Sequence, residues 1–136
     1  MKSTTIRRGL LACAIAVASA ATLSIPGSAH HSTAMFAWGQ STTLNNMVVD
    51  RWEWTNPHTF LYAHDANGTR YAFEGMSPNH LVRYGWSRRS LQPGQTINLT
   101  YYALRDGRNG GFNVTVTFPN GTTLNQFGER GSQTRP

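Results

Sequence analysis

Cysteine is all but missing from this chain: the one thiol, Cys13, lies in the first few turns of sequence. A single cysteine excludes an intramolecular disulfide, so the domain must be held by packing. Acidic residues are scarce too, six against twelve Lys and Arg. No internal repeat or low-complexity tract argues for a solenoid or an extended tail.

Three of the twelve basic residues, Lys2, Arg7 and Arg8, precede an apolar run from Gly9 to Ile25, which is followed by "PGSA". That layout resembles a bacterial secretory signal over residues 1–29, with Gly27 and Ala29 as the small residues before a cut. The run is too short and too mild for a membrane anchor, so no stable membrane insertion is expected after cleavage. "LLAC" and "RRGLL" invite lipoprotein and twin-arginine readings. A cut at Cys13 would leave almost no apolar segment ahead of it, and the two arginines lack the usual neighbours. The expectation is a mature chain starting at His30 in the periplasm, carrying nine Arg against six acids, a formal +3. A charge of that size is ordinary for a soluble domain, and export separates the protein from nucleic acid.

About a hundred residues remain, enough for one core. Residues 30–41 lack a clean period and read as an arm. "LNNMVVDRWEW" reads as a first strand with a bulge near Met47 to Val49. After the "TNPH" break, "HTFLYAH" places His58, Phe60, Tyr62 and His64 on one face and Thr59, Leu61 and Ala63 on the other. Asn67-Gly68 suits the positive φ of a tight hairpin into "TRYAFEG". "SPNHLVRYGW" predicts a short helix capped by Ser77, started by Pro78 and stopped by Gly85. "TINLTYYAL" and "FNVTVTF" alternate as two further strands around the hairpin loop "DGRNGG", with a short continuation at Thr123 to Leu124.

Three strands, a helix and two strands match the order of an all-β, five-stranded OB-like barrel spanning residues 30–124, with an open sandwich as the rival. Residues 125–136 are polar and expected to form a flexible tail.

The motifs "HHSTAMF", "WEWTNPH", "YAFEGMSPNHLVRYGW", "LQPGQTI" and "DGRNGG", in that order from His30 to about Leu124, resemble a family of small exported bacterial proteins known only as a domain of unknown function. The resemblance implies export and a small β domain, and it supplies no activity. His80 departs from the apolar or small residue expected there, and "LNNMVVD" departs from a regularly alternating strand.

A chain beginning at His30 offers an α-amine and an imidazole that can close one chelate ring on a metal ion. Both titrate near neutrality, and Cu(II) favours nitrogen ligands in tetragonal geometry, so copper is the expected metal, with His31 and His58 completing the set. The arrangement resembles the histidine brace of copper monooxygenases, but only the terminal histidine matches, and oxygen chemistry is not carried over. The alternative for His30 and His31 is a solvated tail. For His58 it is a turn histidine whose ring bonds a backbone carbonyl. His64, about 20 Å from His58 along an extended strand, cannot share its ion and reads as solvated.

Trp52, Trp54, Tyr62, Tyr71, Phe73 and Trp86 form a heavy aromatic load. Most are expected to fill the core; the competing use is a binding face for a small molecule, glycan or partner protein, without metal. No nucleophile, base and orienting group appear at fixed spacing, so no enzyme is expected. Glu53 and Glu74 are expected to pair across strands with Arg51 and Arg70. The "DGRNGG" loop lacks the lysine and hydroxyl of a phosphate loop, and the four N-x-T sequons read as products of a Thr- and Asn-rich β chain.

Overall fold

The computed structural model describes residues 33–128. A 3-10 turn, Thr33–Met35, leads into β1 (Phe36–Glu53), followed by β2 (Phe60–His64), β3 (Arg70–Glu74), the helix α1 (Pro78–Leu81) with a second 3-10 turn (Val82–Tyr84), β4 (Thr96–Leu104), β5 (Gly110–Thr117) and β6 (Thr123–Asn125). Strands β3, β2, β1, β4 and β5 are neighbours in that order, and a parallel pairing of β3 with β5 closes the ring. The result is the expected closed five-stranded barrel of OB type, with the one short helix between β3 and β4. Among the described residues no helix is long and apolar enough to cross a membrane.

β2 follows its alternation. Thr59, Leu61 and Ala63 are buried, while Phe60, Tyr62 and His64 lie on the outer face. Ile97, Leu99 and Tyr101 of β4 likewise point inward, meeting Met47, Val49, Phe73 and Val116 in the core. Trp86 and Leu81, from the helical segment, close one end. The Ser77 side chain accepts from the His80 amide, Pro78 takes the first helical position, and Gly85 ends the following 3-10 turn at φ 82°. Each of these features is where the sequence places it.

The arm is different. Residues from Phe36 onward are strand, and β1 runs for 18 residues, pairing first with β4 and then with β2. Its period is hidden because the register shifts three times, between Phe36 and Ser41, between Leu44 and Met47, and between Val49 and Arg51. Every shift swaps the faces of the residues that follow, which destroys alternation in the sequence while leaving the pairing intact. Asn46, at φ 56°, marks the middle shift. Phe36 is buried and stacks edge-on with Phe112.

Gly68 takes the positive φ expected at the β2–β3 hairpin, and Asp65 organises the turn by accepting from the amides of Asn67 and Thr69. One smaller expectation changes. The carboxyl end does not fray from Asn125 in the described residues: Asn125 ends β6, and Gln126 is fully buried. The Gln126 amide donates to Val114 O, and its side-chain oxygen accepts from Met76 N.

Candidate metal-binding histidine

β2 begins beside a short segment that zips its start to the end of β3. Gly75 N donates to Thr59 O, Thr59 N to Met76 O, and the Thr59 hydroxyl to the same Met76 oxygen. Asn56–Pro57, just upstream, is a cis peptide. Gly75 is required here: a Cβ would stand 2.5 Å from the Thr59 hydroxyl and 2.7 Å from the Gln126 amide nitrogen.

This zipper presents His58 to two acceptors. Its Nδ1 lies 2.9 Å from the Gly75 carbonyl and 3.1 Å from Glu74 Oε1. A carbonyl oxygen only accepts, so Nδ1 carries the proton, and in the neutral ring the lone pair resides on Nε2. Glu74 is the more buried partner, its side chain 11% exposed against 30% for His58. Metal-binding histidines are commonly held this way, with the non-ligating nitrogen donating to a carboxylate or carbonyl that fixes the ring and raises its basicity.

The described chain begins on the same side of the barrel. Glu74 pairs in register with Phe112 across the closing seam, and Phe112 packs at 5.5 Å against Phe36, the first residue of β1.

His30 and His31 lie outside the described residues. Among those described, no three of His, Cys, Asp and Glu gather as a metal-binding group, so His58 and Glu74 stand as one potential ligand with its support. His64 is not simply solvated: its Nδ1 is 2.8 Å from Asp50 Oδ1, because the shift at Asp50 brings that carboxylate onto the face of His64. His80 is structural, donating from Nε2 to Gln126 O and packing on Tyr84 and Phe127.

The carboxylates do not pair as expected. Glu53 meets Arg51 on its own strand, and Glu74 meets His58 instead of an arginine. The register explains this, since Phe60 stands between Glu53 and Glu74, whereas Arg70 lies opposite His64. The face shared by His58 and Phe60 was the signal in the sequence for the His58–Glu74 contact; the register that completes it was not.

Phe73 and Trp86 are core residues, and Trp52, Trp54 and Tyr71 pack against the core. Tyr62 instead lies on the outer face beneath the Arg51 guanidinium, 4.2 Å from the ring centre. Burial pushes the Tyr101 phenol above its usual pKa, and neighbouring Tyr71 adds to the shift.

No curated protein and no solved structure matches the chain. Residues 16–113, the greater part of the sequence, match the model of a family described only as a family of unknown function. The chain belongs to that family, DUF6152.

Proposed function

We propose that the mature protein is an exported, non-enzymatic periplasmic domain that binds copper through the amine and imidazole of an amino-terminal His30, with His31 and His58 as further ligands. The observation that carries this reading is the His58 ring, oriented through Nδ1 by Gly75 O and the Glu74 carboxylate. That arrangement orients a ring nitrogen donor of the type Cu(II) favours. The barrel's part is to hold that donor rigidly, and the burial of Phe36 ties the start of β1 to the barrel.

Calorimetric titration of correctly processed protein with Cu(II) at neutral pH tests it. His30→Ala, His31→Ala and His58→Ala should each weaken binding by about tenfold or more, and His64→Ala should leave it unchanged. If His58→Ala binds like the parent, the barrel plays no part in the site. If the processed parent binds no more tightly than a histidine-containing control peptide, the copper reading is wrong.

A further inference from the structure

On the outer face of β1, β2 and β3 a cleft of about 370 Å³ is lined by Asp50, Arg51, Tyr62, Arg70 and Tyr71. Its origin lies in the register. Tyr62 is flanked by Arg51 on β1 and by Ala72 on β3, and the small, exposed Ala72 side chain leaves the β3 side of the ring open.

The charges in the cleft are unevenly committed. Asp50 is paired with His64, while Arg51 stacks on Tyr62 and gives one nitrogen to Glu53, 3.0 Å away. A guanidinium has five N–H donors in a fixed plane, so a single bond to Glu53 leaves most of its fork for another acceptor. Among the described residues Arg70 has no carboxylate partner. Two guanidinium groups thus border one concavity whose only acid, Asp50, is turned to His64, and the Arg70 guanidinium, with no carboxylate of its own there, favours an anion.

Size narrows the class. At about 30 Å³ per non-hydrogen atom, the share each water takes in the liquid, the cleft holds roughly a dozen such atoms. A lone phosphate would fill less than half of it, whereas a six-membered ring bearing a carboxylate would fill it and bring its ring against the phenol of Tyr62, the Tyr71 ring being turned inward onto Phe73. We infer that this cleft is a binding site for a small ring-bearing carboxylate, a sugar acid or an aryl acid, with Arg51 and Arg70 gripping the carboxylate and Tyr62 meeting the ring. The site is separate from the His58 and Glu74 pair and does not depend on copper.

The test is calorimetric titration of the full chain with glucuronate, p-coumarate, glucose and inorganic phosphate. Saturable one-to-one binding is expected for at least one of the two acids, which also identifies the ring, with glucose silent and phosphate weaker by about tenfold or more. Arg70→Ala should weaken the acid by about tenfold or more, Arg70→Lys by less, and His58→Ala not at all. Arg70 is exposed, so an unchanged melting temperature in its variants will show that the fold is intact. Failure of both acids to bind, phosphate binding as tightly as the acids, or indifference to Arg70→Ala would each overturn the inference.

Discussion

The Nδ1 of His58 and the Oε1 of Glu74 stand 3.1 Å apart, joining a residue two positions ahead of β2 to the last residue of β3. The contact sets the direction of the imidazole, so removing the carboxylate should act through the ring. Glu74→Gln is expected to lower Cu(II) affinity by about tenfold to a hundredfold while leaving the circular dichroism spectrum of the barrel unchanged. An affinity equal to that of the parent would place Glu74 outside the site.

Processing decides whether His30 has an α-amine to offer. If the copper reading holds, the intact mass of protein recovered from a periplasmic extract should correspond to a start at His30, and a preparation extended by one residue should lose copper affinity even with every histidine present. A natural start two or more residues away would remove the chelate altogether.

Two glycines separate backbone strain from steric exclusion. Gly68 sits at φ 80° with nothing near a prospective Cβ, so Gly68→Val should cost about 1 kcal/mol through the backbone alone. At Gly111 a Cβ would meet Tyr102 O at 2.0 Å, and Gly111→Ala should cost about 3 kcal/mol or more by forcing β4 and β5 apart. Urea denaturation measures both. Equal losses would contradict this division.

Tyr101 makes stability sensitive to alkali. Its folded pKa is raised by burial and then by Tyr71, whereas the unfolded phenol ionises near 10. The stabilisation it contributes is therefore complete below pH of about 10 and is lost as pH rises through the folded pKa. Thermal melts between about pH 8 and 11 should show the parent losing stability more steeply than Tyr101→Phe; parallel curves would refute the assignment.

Sequence legibility follows local chemistry. Ser77, Pro78 and Gly85 each act through their own backbone or a neighbour a few residues away, and all three do what their residue types suggest. β2 and β4 alternate without interruption, so their inner faces could be read residue by residue. β1 could not be bounded, because three register shifts scramble the face of every residue beyond them. The burial of Gln126 was equally hidden, since a polar side chain in a polar stretch gains its place only through Met76, 50 residues earlier. The candidate site divides along the same line. His58 stands out for its position beside Pro57, while Glu74 is a partner only once β2 and β3 are aligned.

β5 has more neighbours than a barrel strand needs, and the shortest strand in the molecule matters for that reason. Its first residues, Gly110 to Phe112, are covered by β3, but β3 ends there, and Thr115 to Thr117 would present bare amides and carbonyls beside Val114 and Val116. An uncovered edge of alternating apolar and threonine residues is a template on which a second copy can stack, and a chain with so few charges has little repulsion to prevent it. β6 occupies that edge with three residues, and Gln126 continues the cover by donating to Val114 O. What looks like a remnant after the barrel is complete thus covers the edge of β5 on which another strand could otherwise pair.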